Sequence, residues 1–378
     1  MKKENNDVMS DVLSRAISIK PLIESLSQTI DQERELPPAL VQKLLDEGFF
    51  RLLIPKWLGG KELDWLEYLK VIRTLAASDG STAWCVNQAC VFATAAARVP
   101  RAFARTIWSN PRTTVANGPP ASAESIPVEG GYRLNGRWMF SSGCRHANWM
   151  AAITTDDDEE TRLHMVPSKQ VKLIDVWDVQ GLRGTGSFHF EIENQFVPEK
   201  HTALVVESSP EAGPLYAIPR TTLFACGFGC VALGIARAAL DATLTLAREK
   251  KAQYATQPLA YNPVVQNKIG QAEAKWRAAQ ALLDMTTRTA WDTIQRTGDI
   301  TLEQRIELRM VSTHAIRQSA QVVDTVYSLT GSHAIFSSTG VQRRFQDVHA
   351  ITQQIQGREA HYETVGQYFL GLEPVGVF

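Results

Sequence analysis

Two stretches with a helical period enclose one with a strand pattern, and that order limits the fold more tightly than any single motif. In residues 8–112 the apolar side chains recur at three and four: Val8, Val12, Ala16, Ile19, Ile23, Leu26 and Ile30 share one helical face. Pro37 and Pro38 open a second helix holding Leu40, Val41, Leu44 and Leu45, and Gly48 closes it. Asp64 is placed to cap a third helix, and Ser81 a fourth that carries Trp84, Val91 and Phe92. Over residues 113–200 short apolar runs alternate with turn residues, which predicts strands. From residue 215 the helical period returns in three long runs, 225–247, 264–291 and 301–329, the second opened by Pro263. Long helices joined by short breaks imply a bundle. The expected class is α+β: a helical domain over 1–112, a β-barrel or sandwich over 113–207 and a four-helix bundle over 208–378.

Composition narrows the partners. At 378 residues the chain is long enough for two or three domains with a full core, and its formal charge of −1 gives no electrostatic argument for nucleic acid or an anionic membrane. No apolar run reaches the roughly 20 residues that span a bilayer. Residues 1–7 are polar and lack the apolar segment of a signal peptide, so a cytoplasmic location is expected. Five cysteines, Cys85, Cys90, Cys144, Cys226 and Cys230, form no Cys-x-x-Cys pair and read as reduced, buried thiols. Neither they nor the eight histidines show metal-ligand spacing, so no metal is expected. The acidic run 156–160 reads as a solvated hairpin tip.

Residues 138–149 concentrate the features of a site. They read Trp-Met-Phe-Ser-Ser-Gly-Cys-Arg-His-Ala-Asn-Trp and follow Asn135-Gly136, a strong hairpin signal. An aromatic strand ending in two hydroxyls, with a glycine that lets backbone approach closely, suits a flat ring with polar edges. Strand alternation sends Ser141 and Ser142 to opposite faces, so the sequence leaves open which one points inward. Gly181-Leu182-Arg183-Gly184-Thr185-Gly186-Ser187 invites a dinucleotide-binding reading, but its glycines do not match Gly-x-Gly-x-x-Gly and no helix follows.

Trp138, Phe140, Ser142, Gly143, His146 and Trp149 resemble the flavin-facing strand of the acyl-CoA dehydrogenase fold. The likeness is closest to its class D flavin monooxygenases, the oxygenase components of two-component systems that act on aromatics and indoles. The loop 181–187, the Val115–Pro120 segment and Phe196-Val197-Pro198 fit the same family. The resemblance implies reduced flavin (FAD or FMN), reacting with oxygen through a C4a-hydroperoxide, and a separate NAD(P)H:flavin reductase. It also implies a small aromatic substrate, indole or an indole derivative among them, and a homotetramer or dimer. On that basis Ser141 and Ser142 are candidates for stabilising the oxygenating species, and Asn117, Phe140, Arg183, Lys250, Gln266, Gly331 and Ser332 for holding flavin. Trp138, Trp84, Phe92 and Gln353 become candidates for substrate contact.

The likeness departs at the C-terminal turn. Acyl-CoA dehydrogenases of the commonest type carry a catalytic glutamate before a glycine where this chain has Gln356-Gly357, and an amide cannot act as a general base. Class D phenol hydroxylases usually place a histidine near the same turn. Gln353 and Gln354 stand there, with His349 one helical turn earlier and His361 two turns later, and Gln354 and His349 are taken as the candidates for acting on the substrate. An acyl-CoA dehydrogenase with a displaced base is the alternative reading.

Overall fold

The computed structural model describes residues 10–156, 159–205, 213–251, 256–376 and 378. Val8, the Asp157-Asp158 part of the acidic run and the boundary expected after residue 207 lie outside these. Six helices come first: α1 (Asp11–Ser18), α2 (Lys20–Glu33), α3 (Pro38–Asp46), α4 (Trp65–Ser78), α5 (Gly80–Ala93) and α6 (Arg101–Trp108). The first periodic run is broken in two at Ile19, with Pro21 in the first turn of α2. Asp64 caps α4 as expected, accepting from the backbone N–H of Leu66 and Glu67 at 2.9 and 3.1 Å. The cap of α5 is Asp79 rather than Ser81: its carboxylate accepts from Thr82 N–H at 2.7 Å, and Ser81 lies inside the helix. A carboxylate at an N-terminus also meets the helix dipole, which a neutral serine hydroxyl two residues later does not.

Eight strands follow: β1 (Val115–Asn117), β2 (Pro120–Val128), β3 (Gly131–Ser141), β4 (Trp149–Thr155), β5 (Thr161–Pro167), β6 (Lys172–Ile174), β7 (Phe188–Pro198) and β8 (Thr202–Leu204). They form two sheets, β1-β4-β5-β8 and β2-β3-β7-β6, with β1 parallel to β4 and the other pairs antiparallel. Between them lies a core of Leu134, Trp138, Met150, Ala152, Val166, Phe190 and Ile192. The hairpin turn falls before Gly131, where Gly130 has φ +76°, and not at Asn135-Gly136. Asn135 and Gly136 sit inside β3 at a register shift against β7, and a Cβ on Gly136 would meet the Ser122 carbonyl at 2.4 Å. An Asn-Gly pair serves a bulge as well as a turn, since both need a backbone that other residues resist.

Five helices complete the chain: α7 (Arg220–Glu249), α8 (Pro263–Thr297), α9 (Leu302–Thr330), α10 (Val341–Gln353) and α11 (His361–Phe369). Asn262 caps α8, and Thr301 and Gln304 close a reciprocal capping box on α9. Contrary to the expectation from composition, α7 is long and apolar enough to cross a membrane. It is a core helix here, with 83% of its most apolar window buried. Its side chains Phe228, Val231, Leu233 and Ile235 share one hydrophobic core with Trp65, Tyr68 and Trp84 from the N-terminal helices and Val311, Ala315 and Ile316 from α9. A second core joins Phe92, Phe103 and Trp108 to Val115, Ala151 and Met165 of the first sheet.

Candidate active site

The end of β3 does not alternate. Trp138 pairs with Phe190 and Ser141 with Phe188, so β3 carries one residue more than β7 across this step. Phe140 takes up the difference at φ +52°, a conformation costly for an aromatic residue. The bulge throws the Phe140 ring out to 55% exposure, edge-on to Trp177 and His189 at 6.4 and 5.7 Å. It also turns Ser141 inward, fully buried, just after Trp138 has faced the same interior.

The two serines differ in what they bond. Ser142 Oγ accepts from the Trp84 indole N–H at 3.0 Å and shares a hydrogen bond with Ser187 Oγ at 2.7 Å. Ser187 in turn meets Thr185 Oγ1 at 2.7 Å, which donates to the Leu182 carbonyl at 2.8 Å. This chain of hydroxyls ties the strand end to α5 and to the loop 181–187, and Gly143 N–H donates to Thr185 O at 2.8 Å beside it. Ser141 Oγ is buried and has no hydrogen-bond partner. It lies against Gly118, where an added Cβ would fall 1.8 Å from the Met139 carbonyl and 2.9 Å from Ser141 Oγ. Next to it, Asn117 Oδ1 accepts from the Gln88 amide at 2.9 Å.

Trp84 stacks on Phe228 with ring centroids 3.8 Å apart, and Phe228 on Phe224 at 5.9 Å. The result is a run of aromatic faces leading away from the hydroxyl chain. His146 stands nearby against Phe50 at 5.4 Å, and burial pushes its pKa down to about 4, so the ring is neutral at pH 7.

Several expected site residues lie elsewhere. Trp138 is fully buried between the sheets, stacked on Phe190 at 5.0 Å with its N–H on the Ile153 carbonyl, because a large ring with a satisfied N–H is what fills a sandwich core. Phe92 packs in the core against the first sheet, eight residues along α5 from Trp84. Arg183 donates to Asp31 O at 3.0 Å and Val179 O at 2.7 Å, which commits its guanidinium to anchoring the loop on α2. His349 faces outward, hydrogen-bonded through Nε2 to Asp324 Oδ1 at 2.8 Å. Gln353 is exposed, and Gln354 caps the turn Ile355–Gly357 by accepting from Gln356 N–H at 2.7 Å. Lys250 donates to Thr330 O at 2.8 Å, closing the C-terminus of α9 beside Gly331, while Ser332 is exposed. Gln266 is exposed too and donates to the Ala260 carbonyl. The sequence reading missed Ser187, Thr185, Gln88, Phe224, Phe228 and Arg309. The first two were legible as hydroxyls two apart in the 181–187 loop. The glycines of that loop are contact points, since a Cβ on Gly181 would meet the Gln346 carbonyl at 2.1 Å. No helix follows it, as expected, and β7 does.

The geometry agrees with what the chain is similar to. Residues 19–99 match the acyl-CoA dehydrogenase N-terminal domain and residues 226–358 its C-terminal domain. Indole-3-acetate monooxygenase of Acinetobacter baumannii is 30% identical, over 91% of this chain and 90% of its own length. The chain belongs to the flavin-dependent monooxygenases of the acyl-CoA dehydrogenase fold. The enzyme of the same name from Pseudomonas putida is 29% identical over 91% of this chain and 90% of its own length. Among solved structures, the 3-HSA hydroxylase from Rhodococcus sp. RHA1 superposes with a TM-score of 0.88 at 25% identity, covering 98% of each chain.

As a flavin-dependent monooxygenase, the protein uses a flavin. Its residues fit that group at the bulge. Ser141 supplies an orphaned buried hydroxyl, which native proteins rarely leave unbonded, and Gly118 removes the side chain that would bar a ring edge from it. The C-terminal turn carries an amide at the position the family resemblance gives to the dehydrogenase base. Gln356 is buried where the glutamate would stand, and its amide oxygen accepts from Arg309.

Proposed function

We propose that the enzyme oxygenates the pyrrole edge of an indole or indole derivative, with reduced flavin delivered by a separate NAD(P)H:flavin reductase. The observation that carries this reading is that the C-terminal turn holds an amide, Gln356, where the dehydrogenases carry a carboxylate base. Gln353 is exposed, Gln354 is spent on a cap, Gln356 is an amide and His349 is paired on the outer surface. His361, buried at the same turn, gives its Nε2–H to the Ile355 carbonyl at 2.6 Å, and none of these groups is a carboxylate, so abstraction of a thioester α-proton or a phenol proton is disfavoured. An electron-rich ring needs no such base. The names of the two indole-3-acetate monooxygenases support an indole.

When bound, the flavin supplies oxygen activation, and the chain's own residues bind, orient and exclude water. Ser141 Oγ is the hydrogen-bonding group offered to the flavin ring. Ser142 does not compete for it, because the Trp84–Ser142–Ser187–Thr185 chain has used its hydroxyl to fix the strand. Trp84, whose indole N–H holds Ser142, stacks on Phe228 and forms an apolar wall beside the strand end. Lys250, whose ammonium keeps donors beyond the one given to Thr330 O, and the exposed Gln266 stand apart from the bulge at the bundle end formed by α7, α8 and α9 and are the candidates for the flavin phosphate. A homotetramer in the cytoplasm belongs to the same reading.

Supplying reductase, NADH, flavin and indole in air tests it, with blue pigment and oxygen uptake as readouts. Pigment formed only when both proteins are present supports the reading. Rapid turnover of 4-hydroxyphenylacetate with none of indoles, or reduction of bound flavin by an acyl-CoA, overturns it.

A further inference from the structure

Arg309 lies inside the bundle at 2% exposure. Its Nη1 donates to the Gln356 side-chain oxygen, but Nε and Nη2 are buried without any hydrogen-bond partner. Those two nitrogens form one edge of the guanidinium, the fork that takes both oxygens of a carboxylate. Among the described residues no carboxylate pairs with the fork. Burial keeps the Cys226 thiol neutral by pushing its pKa far up, and His361 donates from Nε2 to the Ile355 carbonyl at 2.6 Å with its own pKa lowered. Among the described residues Arg309 makes no ion pair, and Cys226 is the one group whose charge would favour its cationic form. Burial brings its pKa down to about 10, so it stays protonated at neutral pH. A buried cation without a counter-anion is costly, and proteins keep one where an anion arrives from outside.

The guanidinium lies between α7, where Cys226 faces it, and the turn 355–357, the position at which the family resemblance puts the dehydrogenase base. Gln356, which holds the other side of the guanidinium, is itself pinned by Thr313 Oγ1 donating to its carbonyl at 3.3 Å.

We propose that the free Nε/Nη2 edge of Arg309 receives the carboxylate of the substrate, so that the enzyme selects an aromatic acid anion over the neutral ring. This rests on the indole reading above and adds the charge of the side chain and the residue that reads it. Gln356 then acts as a positioning residue: where a dehydrogenase needs a base, this chain has an amide that aims an arginine.

Isothermal titration calorimetry on the enzyme with reduced flavin, anaerobically at neutral pH, compares indole-3-acetate with 3-methylindole, which differ in the carboxylate. The wild type is expected to bind the acid at least about tenfold more tightly. Arg309→Gln should abolish that preference, and Arg309→Lys should keep part of it by retaining charge without the fork. Equal affinity of the wild type for both ligands overturns the inference without touching the indole reading. So does a preference that survives in Arg309→Gln. Binding of neither ligand overturns both. Comparison of the two ligands on the wild type needs no variant, so the inference stays open to refutation even if a variant fails to fold.

Discussion

Ser141 and Ser142 are neighbours with opposite bonding, and the difference gives the sharpest residue-scale expectations. Ser142→Ala leaves the Trp84 indole N–H without its acceptor and Ser187 with Thr185 alone, which should cost roughly 1–3 kcal/mol in a denaturant melt. Ser141→Ala removes a hydroxyl that bonds nothing in the protein, so its melt should match the wild type within about 0.5 kcal/mol. The order should reverse when hydrogen peroxide release is measured in the reductase-coupled assay, with Ser141→Ala the more uncoupled variant. Equal peroxide release from both would remove Ser141 from the flavin. Sequence alternation alone could not choose between these serines, because the choice is made by one extra residue at Phe140. A bulge leaves no periodic trace. Trp138 was misplaced for a related reason: an aromatic residue in a site strand and one in a sandwich core have the same pattern, and only the partner sheet distinguishes them.

At the scale of elements, the loop 181–187 is a clamp. It touches α10 through Leu182 N–H on Asp347 Oδ1 at 2.6 Å, α2 through Arg183, and the strand end through Thr185 and Ser187. Gly181→Ala would drive a Cβ against the Gln346 carbonyl, and a loss of roughly 1–3 kcal/mol in a thermal or denaturant melt is expected. The first sheet has its own acid sensitivity. His164 lies between Thr154 and Thr202 at 3.0 and 3.1 Å, and burial lowers its pKa from 6.5 to about 4. The unfolded chain therefore binds this proton at higher pH than the folded one. The stability it contributes is present above pH 6.5 and is lost as pH falls toward 4. His164→Gln should flatten that part of the stability profile by on the order of 1–3 kcal/mol between these limits, measured as unfolding free energy against pH. A profile unchanged by the substitution would mean that the ring titrates normally in the fold. Helix starts were legible where a cap or a proline marks them, as at Asp64, Pro38 and Pro263. Asp79 was passed over for Ser81 because two acceptable caps stood two residues apart.

For the whole molecule, the order of helices, strands and helices was written in the periodicity, and the family likeness in the strand end and the 181–187 loop. What neither carried is the sharing of one core. Trp65 and Tyr68 from the N-terminal helices pack with α7 and α9, so the site lies where one core meets the end of the sheet. Arg309 was invisible in sequence because a single arginine on a long helix reads as a solvent charge, and its burial depends on α7 and the 355–357 turn closing over it. The central claim is that this chain places oxygen from O2 on an indole ring using flavin reduced elsewhere. The most direct measurement is mass spectrometry of the product formed from indole-3-acetate under 18O2, with NADH, flavin and a flavin reductase, each protein also omitted in turn. The account predicts one labelled oxygen atom in the product, and none when either protein is left out. Unlabelled substrate recovered in full while peroxide accounts for all the oxygen consumed would contradict it.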